Sequence, residues 1–207
     1  MGVVWQRSAM RAYIDESGRV ATPGLYVLAA VVVRVEQAES VREVLRAQVR
    51  HPGRPFHFRL EEHTDQERLA KTVGALDLVS VVAVATPVDK HRPERARKLC
   101  LTQLLWELQR RSIRDVLFES RRPAQDKEDR KLIAAAVRSQ HLEPGLVFGF
   151  GYPDVEPLLW LPDLVAGAVN RSRFDAVHCC LELLGPGVTV LEVGHATRPR
   201  AARRTGA

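Results

Sequence analysis

Tyr13-Ile14-Asp15-Glu16-Ser17-Gly18, followed shortly by Leu25-Tyr26-Val27-Leu28-Ala29-Ala30-Val31-Val32-Val33, decides how the chain is read. A short apolar run carrying two acids breaks into a Gly turn, and a longer β-branched run follows. This pattern predicts a β-hairpin with Asp15 at its mouth, Arg11–Asp15 as its first strand and Leu25–Val35 as a long central strand. A carboxylate at the end of a buried strand is costly unless a cation meets it. A divalent metal ion and an arginine are the two candidate partners, and plain turn chemistry at Asp15-Glu16-Ser17-Gly18 is the third reading.

Outward from that hairpin, strands and helices alternate. Ser40-x-x-Glu43 and Thr64-x-x-Glu67 read as capping boxes that open helices, the first lined by Val41, Val44, Leu45 and Val49. Between them Phe56-His57-Phe58-Arg59-Leu60 alternates like a strand. Leu78–Ala85 reads as a buried strand, and Pro93 starts a helix to about Arg111. Asp115–Glu119, Leu146–Phe150 and Val188–Val193 read as strands. Asp126–Gln140, Leu158 to about Asn170, and Phe174–Leu184 read as helical. The order predicts an α/β domain, a mixed sheet flanked by helices.

The 207 residues fit one such domain over residues 10–195, and 45% hydrophobic residues suffice for a core. No apolar run is long enough for a transmembrane helix, and Met1 to Met10 lacks a signal-peptide core. Met10, just ahead of the first strand, is an alternative start. The net charge of +6 falls to +2 without Arg198, Arg200, Arg203 and Arg204, so residues 196–207 form a basic tail, expected to be disordered and able to hold polyanions loosely. Cys100, Cys179 and Cys180 read as reduced thiols of a cytoplasmic protein. Cys179 and Cys180 beside His178 are disfavoured as a zinc site, because consecutive helical residues diverge and no second ligand cluster is evident.

Nucleophile elbow, Walker A loop, dinucleotide fingerprint and His-Glu-x-x-His are all missing. What remains is acids in apolar settings: Asp15 and Glu16 at the end of the first strand, Glu119 ending a middle strand, and Asp163 in the first turn of the apolar helix Leu161–Val169. If the first and middle strands are neighbours, Asp15 and Glu119 open at one edge, and a helix crossing that edge adds Asp163. Converging carboxylates repel one another and call for bound cations. Two Mg²⁺ or Mn²⁺ ions about 3.5–4 Å apart serve in-line phosphoryl chemistry. The alternatives are a helix-dipole role for Asp163, an ion pair of Glu119 with Arg121 or Arg122, and a solvent-facing or core-bonded His57.

Tyr13-Ile14-Asp15-Glu16-Ser17-Gly18 with Leu28–Val33 resembles the opening of the domain of unknown function 3800 family, and Pro157–Ala168 resembles its second signature, an apolar helix with a central Asp. Phe56-His57-Phe58 resembles a less specific His-containing strand. The resemblance covers Arg11 to about Arg173 and implies a ribonuclease H-like fold. It assigns Asp15 and Asp163 to the motif acids and Glu119 to a position where Asp is more usual. It gives Glu16 a supporting role and Asp154 a weaker acidic position. Trp160 and Pro162 depart from the pattern, standing where Gln and Ala are common.

The expectation is therefore a cytoplasmic, two-metal nuclease or phosphodiesterase of ribonuclease H-like fold. Asp15, Glu119 and Asp163 ligate Mg²⁺ or Mn²⁺, Glu16 or His57 moves a proton or orients water, and Arg59, Arg121 and Arg122 meet phosphates. The alternative is a catalytically inactive nucleic-acid- or protein-binding member of the same fold, or a helper protein in a mobile-element or defence setting.

Overall fold

Burial on both faces at Ala12, Tyr13 and Ile14 of β1 (Met10–Arg19) and along nearly all of β2 (Gly24–Arg34) fits their place at the centre of the sheet. The computed structural model describes residues 9–19, 24–49, 55–89 and 93–194. The chain continues through α1 (Ala38–Gln48), α2 (His63–Gly74), β3 (Val79–Val88), α3 (Pro93–Arg110), β4 (Asp115–Glu119), α4 (Pro123–Arg138), β5 (Val147–Gly151), α5 (Trp160–Phe174), α6 (Cys179–Leu184) and β6 (Val188–Glu192). The six strands lie in the order β5-β4-β1-β2-β3-β6. β1, β2 and β3 pair antiparallel, whereas β4 runs parallel to β1, β5 to β4 and β6 to β3. This is the mixed, helix-flanked α/β sheet expected from the sequence, consistent with a ribonuclease H-like fold.

Side chains alternate across a strand, so each central strand feeds two cores. Tyr13, Val27, Ala29 and Val31 pack under α1, α2, α5 and α6. Ile14, Leu28, Ala30 and Val32 pack under α3 and α4. The same rule assigns Asp15 to the Tyr13 face, beneath α5, and Glu16 to the Ile14 face, beneath α3. Among the described residues no helix is long and apolar enough to cross a membrane.

Four local expectations are corrected. β1 runs on to Arg19, so Asp15 stands opposite Ala29 inside the hairpin ladder and not at its mouth. It lies instead where the β4 pairing ends, since Ile14–Phe118 is the last paired position. Phe56–Leu60 is no strand. Phe58 is buried against α5, and Leu60 N–H donates to His57 O, closing one turn of 3₁₀ helix over Phe58–Leu60. Neither capping box caps: α1 starts ahead of Ser40, whose hydroxyl donates back to Gln37 O. α2 starts at His63 behind Glu62, whose carbonyl accepts from the N–H groups of Asp65 and Gln66. The basic tail and the residues ahead of Ala9 lie outside the described residues.

Candidate active site

Asp15, Glu119 and Asp163 come from β1, β4 and α5 and meet on one face of the sheet. β4 brings Glu119 beside Asp15 because the parallel ladder holds Ile14 against Phe118, one residue earlier on each strand. α5 crosses β1 and β2 and carries Asp163 in its first turn, 8% exposed. Asp163 Oδ2 accepts the Phe58 N–H at 2.9 Å and stands 3.4 Å from His57 Nδ1. The carboxylate thus holds the His57–Phe58 segment rather than merely favouring the helix dipole.

The three acids share one electrostatic field. Asp15 is partly exposed as a residue, yet its carboxylate is desolvated. That desolvation, then the charges of Glu119 and Asp163, raise its pKa well above the usual value, against a smaller pull from Arg97. Burial and then the Asp163 charge push Glu119 up to about 7, with His57 opposing. Among the described residues no Lys or Arg forms an ion pair with any of the three. Among the described residues the three do not bring their oxygens within 4.8 Å of one another.

A tight contact makes this arrangement possible. A Cβ on Gly167, one turn past Asp163, would sit 2.2 Å from the Phe58 ring. Glycine there lets the His57–Phe58 segment close onto α5. Gly167→Ala is expected to cost about 1–3 kcal/mol through overpacking, and to loosen the Phe58–Asp163 bond. Urea unfolding checks the first effect and amide exchange at Phe58 the second.

Glu16 is not brought to the cluster. On the opposite face it accepts from Tyr26 Oη at 2.6 Å and pairs with Arg97, which belongs to a buried network with Asp129. Arg121, expected to meet phosphates, is tied to Asp129 and Glu94, each at 3.1 Å. It does not pair with Glu119. Arg122 sits at the start of α4, and Asp154 is exposed in a turn. The two departures from the family pattern have structural accounts. Trp160 is buried and donates its indole N–H to Pro153 O at 2.8 Å. Pro162 stands in the first helical turn, where its missing N–H forfeits no bond.

A cleft lined by Ser17, Gly18, Phe58, Arg59, Asn170, Arg171 and Asp175 adjoins the acids through Phe58, whose N–H donates to Asp163. Ser17 shares the Asp15 face, and Asn170 lies two turns along α5 from Asp163. Asn170 donates to Ser17 Oγ at 3.2 Å, while its buried Oδ1 has no hydrogen-bond partner. Helical spacing from Asp163 points to Asn170 in the sequence, but Ser17 as its partner needs the fold.

The raised pKa values fix a sign. A carboxyl that binds its proton more tightly when folded gives the native state more protons than the unfolded one. Stability then falls as pH rises between the two pKa values. For Glu119 that window runs from the ordinary 4.5 to about 7. In a metal chelator, the melting temperature should therefore decline from pH 5 to pH 8 more steeply in the native protein than in Glu119→Gln. The difference should be worth roughly 1–2 kcal/mol after solvent screening. Thermal melts of both proteins across that range measure it.

Neither a scan against protein-family models nor a search of curated proteins returned a match for the chain. The fold and the acids thus define an α/β protein with a carboxylate-lined site at the β1–β4 junction.

Proposed function

We propose that the chain is a divalent-metal-dependent phosphodiesterase acting on nucleic acid, with Asp15, Glu119 and Asp163 as its metal-holding carboxylates. The observation behind this is that Asp15 and Glu119 are desolvated beside the Asp163 charge, with no Lys or Arg paired to any of the three among the described residues. Acids with a structural role in the same protein, Glu16 and Asp129, have arginines instead. Hard oxygen donors suit Mg²⁺ or Mn²⁺. Such ions, when bound, supply a water of lowered pKa and neutralise charge on a phosphoryl group.

The chain's own residues account for positioning. Asp163 stands within reach of His57 Nδ1 and favours the ring proton there, which orients the imidazole beside the acids. Arg59 and Arg171, set against Asp175 in the same lining, leave the cleft a net positive charge for phosphate contacts. The ribonuclease H-like resemblance supports the same reading. Three free thiols suit a reducing, cytoplasmic setting.

The test is hydrolysis of RNA, DNA and hybrid substrates with Mn²⁺, comparing the native protein with Asp15→Asn. Activity that disappears in the variant supports the assignment, and equal activity in both sinks it. A folded protein that binds nucleic acid but neither takes up Mn²⁺ nor cleaves anything is the inactive binding module instead.

A further inference from the structure

The second group of metal-competent side chains lies away from the acids, between α2 and α6. His63, Cys179 and Cys180 bring one ring nitrogen and two sulfurs within 4.8 Å of one another. Cys179 Sγ is 3.8 Å from His63 Nε2, and Glu67 Oε1 is 3.3 Å from the same nitrogen. His178, the neighbour in sequence, is not part of it, because its Nδ1 is engaged by Ser172 Oγ at 2.7 Å. The adjacent cysteines therefore find their partner 116 residues earlier in the chain, on another helix.

We propose that His63, Cys179 and Cys180 form a zinc site that clamps α2 to α6, completed when Glu67, whose carboxylate meets His63 but not both sulfurs, swings in as the fourth donor. Tetrahedral zinc has Zn–S near 2.3 Å and Zn–N or Zn–O near 2.0–2.2 Å, which sets sulfur and nitrogen about 3.6 Å apart and nitrogen and oxygen about 3.4 Å apart. The two observed separations match those spacings closely. His63 and Glu67 are one turn apart on α2, the spacing that turns two side chains to the same side. Thiolates and imidazole select zinc over the hard ions suited to the carboxylate site.

Charge also closes. Two thiolates and a carboxylate exceed Zn²⁺ by one negative charge, and Arg171 lies against the group. Its Nη1 is 3.3 Å from His63 Nδ1, and it acts electrostatically on Cys180. Zinc on Nε2 puts the ring proton on Nδ1, so Arg171 yields that contact and keeps its bond to Gln66. Both thiol protons leave to solvent on loading. His63 is exposed and Cys179 half-buried, which gives the ion access.

The clamp has a mechanical setting. At the far end of α2, a Cβ on Gly74 would lie 2.1 Å from Leu183 O, so the two helices already touch backbone to backbone there. Zinc would fix the near end. That end follows directly on the Phe58–Leu60 turn, whose first residue is bonded to Asp163.

The experiment is a Co²⁺ titration of the reduced 207-residue chain. One equivalent should give thiolate-to-cobalt charge transfer with tetrahedral d–d absorption, and zinc should displace it. Cys179→Ser and His63→Ala change exposed or half-exposed side chains and should keep native circular dichroism while weakening binding more than about 100-fold. Glu67→Gln should weaken it less. Folded, reduced protein without the charge-transfer band overturns the site, as does an undiminished band in Cys179→Ser. A Cys179–Cys180 disulfide that forms as readily with zinc as without it also overturns it. Asp15→Asn should leave the titration unchanged, so this outcome is separate from that of the carboxylate site.

Discussion

Asp15→Asn is expected to lower Mn²⁺-dependent hydrolysis at least about 100-fold, since even partners one shell beyond a metal's ligands are typically worth 10–100-fold. The same substitution should raise the melting temperature of the metal-free protein at pH 8. Asp15 is desolvated and faces the charges of Glu119 and Asp163, so its ionised form is unfavourable in the fold. Asparagine keeps the shape and removes the charge. Loss of activity with gain of stability separates a ligand from a structural residue, whose removal lowers both. Mn²⁺ should stabilise the native protein by mass action and stabilise the variant much less. Paired melts with and without Mn²⁺ give this readout beside the activity assay. A variant less stable than the native protein under chelation contradicts the repulsion on which the site rests.

The sheet was legible in the sequence because its signals are local and repeated. Alternation in β1, the β-branched run of β2, and Asp115–Glu119 all register at once. Asp15, Glu119 and Asp163 stood out because a carboxylate in an apolar run is expensive. Glu16 could not be sorted from Asp15 so easily. Alternation puts the two on opposite faces, but only the crossing of α5 over the Tyr13 face says which face holds the other acids. Phe56–Leu60 misread as a strand because its alternation reflects Phe58 burying under α5 while His57 and Arg59 stay outside, with no strand neighbour involved. The capping boxes failed for a similar reason. Gln66 Nε2 reaches back to the carbonyls of Phe58 and Glu61, and that longer-range anchoring shares in fixing where α2 begins. The grouping of His63 with Cys179 and Cys180 was hidden by distance along the chain, since nothing near Cys179 announces His63.

Arg97→Ala is expected to destabilise the protein by about 3–5 kcal/mol, the usual consequence of removing one partner from a buried ion pair. Arg97 is 4% exposed and Asp129 equally so. Its Nε and Nη2 donate to the Asp129 carboxylate at 3.0 and 2.6 Å, and Nη1 donates to Tyr26 Oη at 2.9 Å besides pairing with Glu16. Alanine would leave Asp129 buried and Glu16 half-buried with Arg121 as the remaining cation. Lysine should rescue little, because a point charge cannot reproduce the two-pronged contact. Asp129→Leu combined with Arg97→Met should recover most of the loss, since apolar replacement of both partners removes the unpaired charge. Urea midpoints with unchanged slopes measure all three. The network also reaches the acid site through the sheet, because Arg97 is the cation that opposes the rise in the Asp15 pKa. In Arg97→Met combined with Asp129→Leu that opposition is gone, so Mn²⁺-dependent stabilisation should set in at higher pH than in the native protein. An unchanged onset would mean that the arginine network supports the fold alone and leaves the carboxylates electrostatically untouched.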